Sequence, residues 1–185
     1  MAPNGDQYRA ATGWLNVDPI GFNAQVRPAQ TAVVELKTAE RLSYAALDVR
    51  VAKAAGFLHR LLGEPAGERV AILSRSSIDQ LVLLFACHRA GAIFEPLNWR
   101  LSGAELKGLV ADAKPALLVY ETEFEREALE AAAGSPAAKA LRIAPDDNAF
   151  RAGVEASAPA KPPRSMRMHR RSCSTPPAPP ASPRA

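Results

Sequence analysis

Between Arg69 and Glu121 the chain alternates short apolar runs with longer amphipathic ones, and this alternation limits the possible folds more than any other feature. Val70–Leu73 has the length and character of a buried strand. Ser76 and Ser77 supply a helix start, with Ser77 and Gln80 spaced as a capping box. Ile78–Ala90 then reads as one helix, which Gly91 is placed to close. Ile93–Leu97 is the next strand, with Pro96 near its end because proline cannot donate to a ladder. Ser102 and Glu105 form a second capping box, and Leu101 and Leu106 flank it as a hydrophobic staple. Leu106, Leu109, Val110 and Ala113 make one apolar face of that helix. Pro115 stops it, and Ala116–Tyr120 is a third buried strand. Strands alternating with helices at this spacing imply right-handed crossovers, so the expected class is α/β, a mainly parallel sheet with helices on its faces.

The flanks extend this plan. Residues 1–30 are mixed and poorly periodic and are expected to be irregular, with Trp14, Leu15, Val17, Ile20 and Phe22 anchoring a short surface segment. Thr31–Leu36 reads as a strand turning near Thr38–Glu40 into Arg41–Ser43. Ser43 caps a long helix with Leu42 and Leu47 as its staple, and Leu47, Val51, Ala54, Leu58 and Leu61 form its apolar stripe. Gly63 and Pro65 end it. Glu121–Ala133 reads as an acidic surface helix and Ala140–Ile143 as a further strand. Beyond Asp146 the periodicity stops. The expected division is an irregular 1–30, an α/β unit over 31–145 and a disordered Pro/Arg-rich tail over 146–185.

Charge separates the tail from the rest. Residues 151–185 carry seven Lys/Arg against the single acid Glu155, a net of +6 in a chain of net +4, so the first 150 residues are slightly acidic. The basic balance is therefore no argument that the folded part binds nucleic acid. No apolar run reaches membrane-spanning length; Leu81–Cys87 is seven residues. Cys87 and Cys173 give neither a disulfide framework nor a metal spacing, which fits a reducing cytoplasm.

Few residues are candidates for chemistry. His59 lies on a helix rich in basic and alanine positions and reads as an exposed or half-buried structural residue. Cys87 and His88 are adjacent, but neighbours on a helix diverge, so a core thiol beside a helix-end imidazole is the better reading than a dyad. Asp79 favours its helix dipole and needs no further role, and Glu105 is a cap. Asn98, Trp99 and Arg100 sit where a strand ends, the end at which parallel sheets bind ligands; the plainer reading is a polar connection with an aromatic lid on the core. There is no GxGxxG and no GxxxxGK(S/T) loop, so no phosphate cradle is visible.

The runs RVAIL, FACHRAGAIFEPLNWRLSGAEL and ALLVYE resemble the N-terminal region of the adenylate-forming enzymes, the acyl-CoA synthetases and their luciferase and peptide-synthetase relatives. Ala90-Gly91-Ala92, Pro96-Leu97-Asn98 and Arg100 carry the likeness most, and GAIFEPLNWRLSGAEL is most similar to the fatty-acid or acyl-CoA ligase branch. The likeness extends back through Leu42–Leu47 and covers roughly residues 12–145. It implies an incomplete N-terminal subdomain of that fold. It also implies ATP, Mg2+ and CoA as the full-length family's cosubstrates and a fatty or aryl acid as substrate. In that chemistry the acid attacks the α-phosphate of ATP, and a thiol then displaces AMP. The resemblance places no catalytic, cofactor-binding or metal residue on a numbered position, and this stretch is not expected to bind a cofactor alone. Pro96, Asn98 and Arg100 match the family pattern in a structural role.

The family holds ATP on a loop of the form YTSGTTGLPKG, which this chain lacks. The tail stands where that loop belongs. Ser157–Ala185 holds eight of the sixteen prolines and no aliphatic residue beyond alanine apart from Met166 and Met168, a composition that reads as disordered. Take the last base of each codon with the first two of the next. Ser174–Ala185 can then spell YTSGTTGLPKG, and Pro163–Ser174 can spell AVDADAPAVLL. Third bases are free in this exercise, but the first two of each codon are nearly fixed. The expectation is a chain that follows the family to about residue 160 and continues out of frame: a truncated, inactive acyl-CoA synthetase. A small non-catalytic α/β binding module and a basic-tailed nucleic-acid binder are the rival readings; the tail has no aromatic residue to stack on bases.

Overall fold

The computed structural model describes residues 18–135, 139–143 and 148–160. Trp14, Leu15 and Val17, and the tail beyond residue 160, lie outside them. In chain order the elements are α1 (Pro19–Val26), β1 (Thr31–Val34), β2 (Arg41–Ser43), α2 (Tyr44–Leu62), β3 (Arg69–Leu73), α3 (Ile78–Ala90) and β4 (Ile93–Pro96). There follow α4 (Gly103–Ala113), β5 (Leu117–Glu121), a 3-10 turn (Thr122–Phe124), α5 (Glu125–Ala132), β6 (Lys139–Ile143) and α6 (Ala149–Glu155).

Four of the strands form one parallel sheet in the order β4-β3-β5-β6. Alternation along β3 and β5 sends side chains to opposite faces. Val70, Ile72, Leu117 and Val119 join a core with α2, α3 and α6, while Ala71, Leu73, Leu118 and Tyr120 join a second core with α4 and α5. The α/β class and the parallel sheet between helices are as the sequence leads one to expect. Pro96 ends an edge strand, where its missing donor costs no central ladder bond.

Local chemistry sets the helix boundaries. Ser43, Ser77 and Ser102 each accept from the backbone N–H three residues on. At Ser102 the box is reciprocal, since Glu105 also accepts from the Ser102 N–H at 2.9 Å. Gly91 closes α3 in the left-handed region (φ 75°), where a side chain would be strained.

Four expectations are corrected. Residues 19–26 form a helix rather than an irregular segment: Asp18 caps it and Pro19 occupies its first turn, a start signal that the mixed apolar pattern obscured. Leu109 does not face the core; Leu106 and Val110 do, and Leu109 is exposed. The helix after β5 starts at Glu125, not Glu121, and Phe124, Ala128 and Ala131 are buried beneath it. Finally, ordered structure runs past 145. Asn148 caps α6, which buries Phe150 and Val154 against α2, with Phe150 edge-on to Phe57 at 5.8 Å. Two large apolar residues in seven are too few to register as a period.

Candidate functional site

The crossovers leave one place where ligands collect in open parallel sheets. β3 passes through α3 on one face of the sheet, whereas β5 passes through α5 on the other. β3 and β5 are neighbours, with Leu73 opposite Tyr120, so their connections part company at the carboxyl ends and open a crevice there. Arg75, Ser76 and Ser77 leave β3 on one side of it, and Glu121 leaves β5 on the other. A cleft of about 740 Å³ runs from this point toward the β1–β2 hairpin. Val33, Val34, Leu36, Ile78, Leu81, Leu84, Phe94 and Pro96 make it mostly apolar, and Lys37, Arg75 and Glu121 stand at one end.

Glu121 is the hinge of that charged end. Its Oε2 accepts from the Arg75 backbone N–H at 3.0 Å, and its Oε1 lies 3.5 Å from Lys37 Nζ on the hairpin. Arg75 Nε pairs with Glu123 at 3.1 Å. The same guanidinium lies over two rings, 5.0 Å from the centre of Trp99 and 5.8 Å from that of Phe124. Arg100 lies over Trp99 at 4.1 Å, so two guanidinium groups contact this indole. Cation–π contacts at partly exposed sites contribute about 0.5–1 kcal/mol each. The register explains the gathering: Ile72 pairs with Pro96 and Leu73 with Tyr120, so the residues after three strands emerge at one level.

Of the residues singled out in the sequence, Trp99 and Arg100 belong to this cluster. Asn98 shapes its loop, its side-chain oxygen accepting from the Arg100 N–H at 3.1 Å. Pro96 lines the cleft. The others lie elsewhere. His59 is exposed on α2. Cys87 is fully buried in α3, and burial pushes its thiol up to about 12, so it is not a nucleophile at neutral pH. His88 Nδ1 is buried without a hydrogen-bond partner among the described residues. Glu105 serves as the cap of α4, and the hydrogen bonds from Ser102 hold its carboxyl below the usual range.

Asp79 does more than favour a helix dipole. It is 4% exposed and accepts from Arg151 at 3.0 Å and from Asn148 at 3.0 Å, which fastens α6 to the start of α3. Arg75 and Glu121 escaped the sequence reading because nothing local marks them. Their signal is positional, as charged residues at the carboxyl ends of parallel strands that turn out to be neighbours.

Several polar groups along the cleft already have partners within the chain. The Ser77 hydroxyl accepts from the Gln80 N–H at its helix cap, and Glu121 is engaged by Lys37 and the Arg75 backbone. Among the described residues no group of three or more His, Cys, Asp or Glu side chains is placed to hold a metal, and no helix is long and apolar enough to cross a membrane.

Comparison with known proteins agrees with this architecture. The chain is 42% identical over 106 residues to the indoleacetate–CoA ligase of Aromatoleum aromaticum, a match spanning 57% of this chain and 20% of that protein. It is 41% identical over 111 residues to a feruloyl-CoA synthase from an Amycolatopsis species, spanning 60% and 22%. The chain thus spans about a fifth of the length of these curated relatives. Its fold matches the N-terminal domain of FACL13 from Mycobacterium tuberculosis with a TM-score of 0.68 at 24% identity, over 82% of this chain and 37% of that one. The model of the family described as AMP-binding enzyme matches residues 22–184, ten residues later at its start than the expected limit and well past 145 at its end. The chain belongs to the AMP-binding enzyme family.

Proposed function

We propose that this chain is the N-terminal portion of an ATP-dependent carboxylic acid–CoA ligase, and that by itself it does not form an acyl-adenylate. The observation that carries this reading is the 42% identity over 106 residues to an acid–CoA ligase, joined to a sequence in which the YTSGTTGLPKG loop is not written. A free carboxylate is a poor electrophile. In the whole enzyme ATP supplies the activation: the acid oxygen attacks the α-phosphorus, pyrophosphate leaves, and a CoA thiolate then displaces AMP from the acyl carbon. The substrate class is a fatty or aryl acid, as the relatives' names suggest for them. A cytoplasmic setting goes with this chemistry.

This chain's contribution is a scaffold. Its parallel sheet and the cluster around Arg75, Trp99 and Arg100 form one wall, and the nucleotide loop belongs downstream of it. The family match reaches residue 184, so the tail lies within the span of the family, where this frame writes STPPAPPASPRA. We assign that tail to an out-of-frame continuation and the missing loop to the adjacent frame. The purified chain, given ATP, Mg2+ and indoleacetate, ferulate or palmitate, is expected to give no acid-dependent pyrophosphate exchange. The same DNA with one frame restored is expected to give it. Exchange by the chain alone contradicts the reading.

A further inference from the structure

Arg151, on α6, reaches two elements that both line the cleft. Its Nη2 donates to Asp79 Oδ2 at 3.0 Å, at the start of α3. Its Nη1 lies 3.7 Å from Glu40 Oε2, just before β2. Glu40 also accepts from Arg50 of α2 at 2.9 Å. Val34, Leu36 and Lys37 line the cleft from the hairpin, and Ile78, Leu81 and Leu84 line it from α3. Asp79 follows Ile78 directly, and the Glu40 carbonyl accepts from the Glu35 N–H at 2.9 Å. Both carboxylates therefore sit at the margin of a cleft wall, while none of residues 148–160 lines the cleft. The hairpin tip leans on such outside ties. Ala39 stands at φ 58°, in the left-handed region where a Cβ is strained. Lys37 pairs with Glu121 at 3.5 Å, but its side chain is 72% exposed, so that tie is weak. α6 is itself held at two places. Asn148 and Arg151 bond the buried Asp79 at its start. Beyond its end the Ala160 N–H donates to the Ala52 carbonyl of α2, and Ala158 lies against Gly56.

A side chain shared by two elements couples their opening, and such coupling is reciprocal. We infer that α6 is a strap on the cleft: docked on α2, it holds the hairpin tip to the start of α3 through Arg151, and when it lifts, the tip is freed and the cleft widens. Signal and response lie apart. The strap can be lifted at Gly56, where it rests on α2, and the release is felt at Glu40 and Glu35. These contacts lie within residues 31–160 and do not depend on the ligase reading.

The test follows amide hydrogen exchange in the whole chain at Glu35, which closes the tip, and at Ala160, which reports the strap. Gly56→Ala strikes the backbone at Ala158 and touches neither the hairpin nor the cleft. It is expected to speed exchange at Glu35 about threefold or more, while the Val70 and Ile72 amides keep their protection. Glu40→Gln keeps an acceptor for Arg50 and removes the charge that faces Arg151. It is expected to speed Glu35 and, by reciprocity, Ala160 by about the same factor. With the connection already cut, adding Gly56→Ala to Glu40→Gln is expected to bring no further change at Glu35. Entry of a neutral apolar probe, N-phenyl-1-naphthylamine, is expected to quicken in both single variants. The inference is overturned by Glu35 exchange that stays unchanged in Gly56→Ala while Ala160 opens, by Ala160 unmoved in Glu40→Gln, by additive effects in the double variant, or by probe entry equal in all of them. Should Gly56→Ala also lose protection at Val70 and Ile72, the Ala160 response to Glu40→Gln decides alone, since a purely local role of Glu40 in the hairpin would leave that amide as it was.

Discussion

Arg89 shows how much a single side chain holds together here. Its guanidinium is 3% exposed and pairs with Asp18 at 2.8 Å, and it also bonds Asp48 on α2, so one buried cation joins α1, α2 and α3. Removing the guanidinium leaves the largely buried Asp18 carboxylate without its cation, while Asp48 is half-buried and can turn to water. Arg89→Ala is therefore expected to cost about 3–5 kcal/mol of unfolding free energy, measured by urea denaturation; a cost below about 1 kcal/mol would place this cluster among the weak surface pairs. Glu95 presents the opposite case. Its Oε2 is buried without a hydrogen-bond partner among the described residues, and its carboxyl is pushed above the usual range by desolvation, against the pull of Arg69 and with a smaller push from Asp112. A raised folded-state value means the folded protein holds the proton more tightly. The group's stabilising contribution is complete below the ordinary glutamate value and is lost as pH rises through the folded one. Glu95→Gln is thus expected to raise the melting temperature near neutral pH and to leave it unchanged near about pH 4. A gain that persists at acid pH would refute this electrostatic cause.

Elements differ in how plainly the sequence announces them. α4 is legible from Ser102 and Glu105 alone, because a capping box is local chemistry that tertiary contacts rarely override. β3 and β5 are legible because strands buried on both faces are continuous apolar runs. α6 is not, since its reasons lie in another helix. Gly153 lets the Phe57 ring approach, a Cβ there falling 2.5 Å from it, and Gly56 lets the segment after α6 lie on α2, a Cβ there falling 1.9 Å from the Ala158 carbonyl oxygen. The Ala160 N–H then donates to the Ala52 carbonyl. The candidate site divides the same way. Asn98, Trp99 and Arg100 could be placed at a strand end from the sequence, whereas Arg75 and Glu121 join them only through the order β4-β3-β5-β6. Gly56→Ala meets backbone rather than a movable side chain. It is expected to cost about 1–3 kcal/mol and to open residues 148–160 to limited proteolysis while β3–β5 stays protected. Uniform loss of protection would mean that this segment is not a separable layer.

At the scale of the whole molecule, two well-filled cores sit beside surfaces that remain apolar. Val34, Leu36 and Leu84 edge the cleft, and Ile93 and Leu109 are also exposed. Exposed patches of this kind mark surfaces that meet another part of a protein. The chain purified alone is expected to bind a hydrophobic dye and to aggregate on concentration; a dye-silent monomer with a sharp cooperative transition would contradict that. The deeper question is what the DNA encodes after the last shared element. Re-reading it from codon 150 to several hundred bases beyond codon 185 addresses this most directly. The account predicts that the shifted frame passes through YTSGTTGLPKG into a long open frame carrying the remainder of a ligase. A shifted frame that closes at once, or that spells an unrelated sequence, would contradict it and leave a small α/β binding module with a basic tail as the better description.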